Sequence, residues 1–152
     1  MKQSLFVKCF LGTLLQVALA QSAFAGKIFA DRMFAFADQT LYAGDRLYSA
    51  DTRFFLEMQT DCNLVIYRSK NIGQVVPIWN TMTQGKGSNC RMSMQTDGNM
   101  VVYDNNNIAV FDTKTPNNTN AVLVMQADGN LVIYSNFKLT QPIWNAGSQQ
   151  PK

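Results

Sequence analysis

Alternating apolar and polar positions recur in three stretches of the chain. They read MQTDCNLVIY from Met58 to Tyr67, MQTDGNMVVY from Met94 to Tyr103 and MQADGNLVIY from Met125 to Tyr134. The Asp-Gly pair before the alternating run in two copies is typical of a β-hairpin turn. We therefore predict, in each copy, a strand that ends near the Gln, a turn around the Asp, and a strand that returns antiparallel.

The alternation also predicts which side chains face inward. On the returning strand of the middle copy, Met100 and Val102 fall on one face, which we assign to the core. Asn99, Val101 and Tyr103 fall on the opposite, outward face. Each copy would thus present two amides, a carboxylate, a phenol and a small aliphatic side chain. The equivalent inward positions are Leu64, Ile66, Met94, Met125, Leu131 and Ile133.

The three copies share one pattern, Gln-x-Asp-x-Asn-x-Val-x-Tyr, with every fixed position kept. They begin at Gln59, Gln95 and Gln126, and recurrence at this spacing is typical of repeated supersecondary units. Turn chemistry alone explains Asp and Asn, because both commonly bond nearby backbone groups. It does not require the Gln before the turn or the Tyr on the same face. The complete pattern therefore indicates a repeated binding site.

The repeated polar set suits a neutral sugar. Gln and Asn supply donors and an acceptor, ionised Asp supplies acceptors, and Tyr supplies both, which matches neighbouring sugar hydroxyls. Val suits the apolar face of a sugar ring. The predicted binding residues are Gln59, Asp61, Asn63, Val65 and Tyr67; Gln95, Asp97, Asn99, Val101 and Tyr103; and Gln126, Asp128, Asn130, Val132 and Tyr134.

The motif resembles that of the bulb-type mannose-binding lectins, the snowdrop-like lectins of monocots, over about residues 38–147. The resemblance implies an all-β fold, a β-prism II of three four-stranded antiparallel sheets with pseudo-threefold symmetry and one sugar site per sheet. By position, each Asp and Asn would hold the axial 2-hydroxyl of mannose. The Gln would bind the 3-hydroxyl, the Tyr the 4-hydroxyl and the Val the ring carbons.

The same resemblance implies partners and assembly. We expect binding of α-D-mannose, mannans and high-mannose glycoproteins, with weak single sites that gain avidity from their number. Members of the family dimerise by exchanging C-terminal strands, so a homodimer or higher homo-oligomer is expected. Two alternatives stay open: a member of the fold that acts through protein contacts, and an antimicrobial or defence toxin.

An aromatic segment follows each motif, at Pro77–Asn80, Ala109–Asp112 and Pro142–Asn145. Large aromatic side chains are usually buried, so we assign these aromatics to the core. Phe111 stands where the other two copies have Trp, and it leaves slightly less volume there.

The N-terminus has the pattern of a secretory signal peptide. Lys2 and Lys8 flank a charge-poor stretch, and Ala23-Phe24-Ala25 offers small residues for cleavage. We predict a signal peptide at 1–25, with cleavage after Ala25 or, alternatively, after Ala20. An N-terminal extension at 26–37, the lectin domain at 38–147 and a polar tail at 148–152 would follow. The protein would be secreted, or periplasmic in a bacterium.

Cysteine usage agrees with an oxidising compartment. Cys9 would leave with the signal peptide, and Cys62 and Cys90 would then form a disulfide. Two cysteines without any histidine cannot complete an ordinary structural zinc site, so no metal is expected. The sequence suggests no cofactor.

Composition argues against nucleic acid, membranes and catalysis. Loss of Lys2 and Lys8 leaves 11 Lys and Arg against 10 Asp and Glu, and the basic residues are scattered. No apolar run after the N-terminal segment reaches the about 18 residues that predict membrane insertion. The chain lacks His, the commonest general base, and shows no nucleophile or phosphate-binding motif. Each motif contributes a single Asp on a separate sheet, so we expect no glycosidase pair and no enzyme.

Overall fold

The computed structural model describes residues 39–71 and 73–151. The predicted signal peptide at 1–25 and extension at 26–37 lie outside them. In the described part, the regular structure is formed by strands, and no helix is long and apolar enough to cross a membrane. The strands are β1 Gln39–Tyr42, β2 Arg46–Tyr48, β3 Phe54–Met58, β4 Leu64–Asn71, β5 Gln74–Asn80, β6 Arg91–Met94, β7 Met100–Tyr103, β8 Ala109–Asp112, β9 Val122–Met125, β10 Leu131–Tyr134 and β11 Pro142–Asn145.

The strands form three antiparallel sheets. Sheet I has the order β2-β3-β4-β5, sheet II the order β1-β6-β7-β8 and sheet III the order β9-β10-β11. The predicted all-β fold with three sheets is confirmed, and four strands are found in sheets I and II. Sheet III departs from that prediction with three strands among the described residues. The reason is that β1 and β2 serve as the outer strands of sheets II and I, and no described strand lies beside β9 in the same way.

Each sheet contains a bulge just before the Tyr of its motif. In sheet I the pairing passes from Ile66–Trp79 to Tyr67–Pro77, so Ile78 is the extra residue. The same shift makes Val110 extra in sheet II and Ile143 extra in sheet III. Consecutive residues of a regular strand point to opposite faces, and a bulge relaxes that rule locally. Both the aliphatic residue and the aromatic after it therefore pack against the core.

One cluster of buried side chains draws residues from all three sheets. The inward positions predicted from the alternation are confirmed, since every one of them is at most 4 % exposed. Burial of an aliphatic side chain of this size stabilises a fold by about 1.5–3 kcal/mol. The repeated motif therefore supplies a large part of the core from its inward face.

The aromatics after the motifs meet one another across the sheets. The Trp79 ring lies edge-on to Phe111 at 6.3 Å and to Trp144 at 6.1 Å, measured between ring centroids. All three are partly buried rather than fully enclosed, and they pack against the core cluster. The three aromatics therefore lie at the margin of the core to which the sequence assigned them. Their edge-to-face contacts link the three sheets there.

The predicted disulfide is present between Cys62 and Cys90, and both residues are buried. Cys62 lies in the turn of the first motif, and Cys90 immediately precedes β6. The bond therefore joins sheet I to sheet II. Cys62 has φ 76°, close to the values of the glycines at the same position of the other motifs. A cysteine in this left-handed conformation costs roughly 1–2 kcal/mol relative to glycine, which the crosslink offsets.

We expect that replacing both cysteines by serine lowers the free energy of unfolding by about 3–4 kcal/mol, because the crosslink closes a loop with a sequence separation of 28. Urea denaturation of the oxidised protein and of the double variant measures the difference. Wild type unfolded in the presence of a reductant serves as the control and should match the variant. An unchanged midpoint in the variant would contradict a stabilising crosslink.

Candidate functional site

Each motif occupies the hairpin between two strands of its own sheet. The hairpins are β3–β4 in sheet I, β6–β7 in sheet II and β9–β10 in sheet III. In all three, the backbone N–H of the Gln donates to the backbone carbonyl of the Asn at 2.9 Å. The fourth motif residue has positive φ, 89° at Gly98 and 87° at Gly129, a conformation that glycine adopts readily. We call the surfaces of these turns sites 1, 2 and 3 in chain order.

A hydrogen bond between the first and last motif residues recurs in every site. The Gln Nε2 donates to the Tyr hydroxyl at 2.7 Å in site 1, 2.8 Å in site 2 and 2.6 Å in site 3. The Tyr hydroxyl accepts in this bond, so its own proton is available to donate outward. The Gln keeps its carbonyl oxygen as an acceptor. This pair explains the two motif positions that turn chemistry left unexplained.

The Asp of each motif has one oxygen engaged and one open. Its Oδ1 accepts the backbone N–H of the Asn two residues later at 2.9 Å in all three sites. The turn interpretation of Asp is therefore correct for that oxygen. Within residues 39–71 and 73–151, no donor reaches the Oδ2 of Asp61, Asp97 or Asp128. That oxygen remains free to accept a ligand hydroxyl.

The side chain of each motif Asn likewise has one polar atom engaged and one open. Its Oδ1 accepts the backbone N–H of a residue in the following loop, at 3.3 Å from Thr83, 3.1 Å from Thr115 and 3.2 Å from Ser148. Among the residues that the structure describes, the Asn Nδ2 has no acceptor. Each site therefore places an open carboxylate oxygen and an open amide donor on one turn.

Three hydroxyl residues that the sequence analysis missed fix these loops. Thr83, Thr115 and Ser148 are at most 7 % exposed. Each donates its Oγ proton to the backbone carbonyl of the fourth motif residue, at 2.7, 2.8 and 2.7 Å. A signal existed, because each lies four positions after the core aromatic of its repeat. We call these three residues the hydroxyl latches.

A second hydroxyl supports sites 1 and 2 but not site 3. Thr81 Oγ donates to Asn63 Oδ1 at 3.2 Å, and Thr113 Oγ donates to Asn99 Oδ1 at 3.0 Å. Ala146 occupies the corresponding position in the third repeat and has no such group. The side chain of Asn130 is consequently held by one bond fewer than its counterparts.

The last residues of the chain belong to site 3. The backbone N–H of Gln150 donates to the carbonyl of Asp128 at 2.7 Å, and Ser148 is the latch of this turn. Gly85 and Asn118 make the matching bonds to Asp61 at 2.9 Å and Asp97 at 2.8 Å. The segment predicted as a polar tail from residue 148 therefore packs on the domain as far as Gln150.

The motif valines are less accessible than the alternation suggested. Val65, Val101 and Val132 lie on the outward face, yet they are only 3–4 % exposed. Each lies in a strand that has a neighbouring strand on both sides, two residues after the Asn and two before the Tyr of its motif. They offer a ligand the edge of an aliphatic side chain rather than an open patch.

The surroundings of the Tyr differ between the sites. Tyr67 stacks on Phe55 with ring centroids 5.2 Å apart, while the Arg91 guanidinium lies 5.1 Å from the centre of the Tyr103 ring. Val122 occupies the paired position opposite Tyr134. The binding atoms are thus repeated, but their flanks are not. The described residues contain no group of three or more metal-ligating side chains that could hold an ion.

No protein-family model matches the chain, and no curated protein matches it. Solved structures do. Monomeric mannose-binding lectins of Gastrodia elata are 34% identical, with 80% of this chain and 100% of theirs covered and a TM-score of 0.64. The mannose-specific agglutinin of snowdrop (Galanthus nivalis) bulbs, solved with methyl-α-D-mannoside, is 36% identical over 74% of this chain and 94% of its own, with a TM-score of 0.56.

A lectin of Polygonatum cyrtonema, solved with a monomannoside, gives the same identity of 36% and the same coverage of 74% and 94%, with a TM-score of 0.55. These matches cover almost the full length of the relatives. The three sheets described above match the β-prism II fold of these lectins. The sequence-based assignment is confirmed: the chain belongs to the bulb-type, snowdrop-like family of mannose-binding lectins.

Proposed function

We propose that the protein is a secreted lectin that binds α-D-mannose and mannose-rich glycans through sites 1, 2 and 3. One observation carries the proposal: the same open polar atoms recur on all three turns. They are the Asp Oδ2, the Asn Nδ2, the Gln Oε1 and the proton of the Tyr hydroxyl. Turn stability does not require these atoms to stay open in three copies.

The open atoms match the hydroxyls of mannose in kind and order. The axial 2-hydroxyl would accept from the Asn amide and donate to the Asp carboxylate. The 3-hydroxyl would donate to the Gln oxygen, and the 4-hydroxyl would accept from the Tyr. Glucose carries its 2-hydroxyl equatorially, so the Asp and Asn would lose their partner. An unpaired polar group in a binding site is a strong source of discrimination.

Relatives whose bound ligands are known support a mannoside as the ligand class. The snowdrop and Polygonatum cyrtonema lectins described above were solved with mannosides. Each motif contributes a single carboxylate, and the three motifs lie on separate sheets, so the motif carboxylates do not form the pair that glycosidases use. We therefore propose binding without turnover.

Strong binding would come from the number of sites rather than from the affinity of a single site. An exposed turn with a covered Val buries little of a monosaccharide, so we expect single-site dissociation constants on the order of millimolar. Three sites on one chain can engage one branched glycan or mannan together and raise the avidity. Self-association would add to this. Here β11 pairs with β10 of its own chain, and the Gastrodia elata relatives are described as monomeric, so oligomerisation stays a prediction.

Secretion is part of the proposal and is supported by two observations. Residues 1–25 have the charge and apolar pattern of a signal peptide. The buried Cys62–Cys90 disulfide is typical of proteins that fold in an oxidising compartment.

The first test is retention on immobilised mannan. We expect the oxidised protein to be retained and to elute with mannose, but not with equal concentrations of glucose or galactose. A triple variant, Asp61→Asn, Asp97→Asn and Asp128→Asn, should flow through. Asparagine keeps an oxygen for the backbone bond of each turn but replaces the open acceptor by a donor.

The matched control is Asp45→Asn. This residue also accepts a backbone N–H, from Tyr42, but lies outside the motifs. It should be retained like the wild type. Flow-through of folded wild-type protein would contradict the proposed function and favour a member of the fold that acts through protein contacts.

The second test asks whether the sites act independently. We expect Asp97→Asn alone to abolish the response of site 2, because its open oxygen belongs to that turn only. Titration with methyl α-D-mannoside, followed through the backbone amides of Asn63, Asn99 and Asn130 by NMR, gives one reading per site. The Asn63 and Asn130 signals should keep wild-type dissociation constants. Loss of response at all three amides would contradict independent sites.

A further inference from the structure

Site 3 borders a cavity, and the residues that line this cavity differ from those beside sites 1 and 2. The cavity has a volume of about 270 Å³ and is lined by Arg53, Phe54, Arg68, Ala127, Asp128, Gln150 and Pro151. This volume approaches the lower end of the range for ligand pockets, about 300 Å³. Asp128 is therefore shared between the proposed mannose site and the cavity beside it.

Two guanidinium groups belong to the cavity wall because sheet I meets the third turn. Arg53 immediately precedes β3, and Arg68 pairs across the strands with Phe54. The Phe54 ring lies against Gly129, where an added Cβ would approach within 2.7 Å of a ring carbon. This close packing brings the far end of the β3–β4 hairpin onto the turn that carries Asp128.

Arg53 is held in place by two anchors. Its Nε bonds Asp51, and its Nη2 donates to the carbonyl of Ala127 at 2.8 Å. Partial burial pushes the pKa of Asp51 upward, but hydrogen bonds from Arg53 and Ser49 outweigh it and hold that pKa below its ordinary value. Asp51 therefore stays ionised and is committed to Arg53.

Arg68 differs from Arg53, because its guanidinium group has no carboxylate or carbonyl partner among residues 39–71 and 73–151. The cavity thus combines an uncompensated guanidinium with the open Oδ2 of Asp128. A guanidinium presents planar paired donors that suit phosphate and carboxylate groups. A ligand that satisfies both ends must carry a hydroxyl for Asp128 and an anionic group for Arg68.

Sites 1 and 2 lack this arrangement within the described residues. The guanidinium beside Tyr103 of site 2, that of Arg91, is engaged by Asn107 Oδ1 at 2.7 Å and by the carbonyl of Asp104 at 3.4 Å. Arg68 directly follows the Tyr of the first motif, and the residues after the other two motif tyrosines are Asp104 and Ser135. Asp104 is 6 % exposed, and its Oδ1 accepts the backbone N–H groups of Asn106 at 2.9 Å and Ile108 at 2.8 Å. Equivalent positions of the repeat therefore carry a cation, an engaged carboxylate and a neutral hydroxyl.

We propose that the cavity beside site 3 is an anion subsite, and that site 3 prefers mannosides whose neighbouring group carries a phosphate or a carboxylate. This inference rests on the proposed mannose binding and adds a substrate class to one of the three sites. Arg68 binds the anion and Arg53 forms the rigid wall beside it. Sites 1 and 2 bind neutral mannosides without this preference.

The test uses a protein with site 3 as its sole intact site, the double variant Asp61→Asn and Asp97→Asn. Its binding to a phosphorylated mannan is compared with binding to the same mannan after removal of its phosphate. At low ionic strength we expect about threefold or tighter binding of the phosphorylated form, and loss of this advantage in roughly 0.5 M salt. Arg68→Gln in the same background should abolish the preference but keep binding of the neutral mannan.

Lys138→Gln is the matched control, because it removes the same charge from an exposed position that does not line the cavity. It should leave the preference unchanged. Proteins with site 1 or site 2 as the sole intact site should bind both mannans equally. A mannan with glucuronate side residues and inorganic phosphate as competitor then identify whether carboxylate, phosphate or both are accepted.

The outcomes separate the two proposals. Equal binding of both mannans by the site 3 protein would overturn the anion subsite and leave the mannose function intact. A preference that survives Arg68→Gln would also overturn it. Failure of folded wild-type protein to bind either mannan would instead contradict the proposed function itself.

Discussion

The division of the Asp and Asn side chains between backbone and ligand is the constraint on which the sites depend. One oxygen of each Asp closes the turn, and the oxygen of each Asn binds the loop that follows. These bonds use the atoms that a turn needs, and the Asp Oδ2 and the Asn Nδ2 keep no partner among the described residues. The ligand-facing atoms are therefore positioned by the same bonds that stabilise the fold, and little side-chain entropy remains to be lost on binding.

The repeated bulge connects this surface to the core. It lets Ile78 and Trp79, neighbours in sequence, both pack inward, and the same occurs at Val110 and Ile143 with their aromatics. The same strand then leads into a loop whose latch hydroxyl bonds the turn of its own motif. Core packing and site geometry are thus coupled within each repeat, because one short segment supplies the aromatic and the latch.

The sequence predicts the parts of this structure that local patterns encode. Alternation identifies the inward residues, the turn signals identify the hairpins, and two remaining cysteines identify the disulfide. The latches, the bulge and the covered valines depend on how separate strands align, and a pattern within one strand does not report that register. The three-stranded sheet III likewise follows from where β1 and β2 pair, which their own residues do not specify.

Three identical motifs need not be three identical sites. Site 3 has lost the second hydroxyl support at Ala146, is completed by the final residues of the chain, and faces Arg53 and Arg68 across its cavity. The bonds among motif residues recur, whereas the position after the motif Tyr carries Arg, Asp or Ser. Because Arg68 lines the cavity at the third turn, a change at Arg68 alters the flank of site 3 without disturbing the motif of its own repeat. Such a repeat protein can keep a common sugar contact and still diversify what lies beside it.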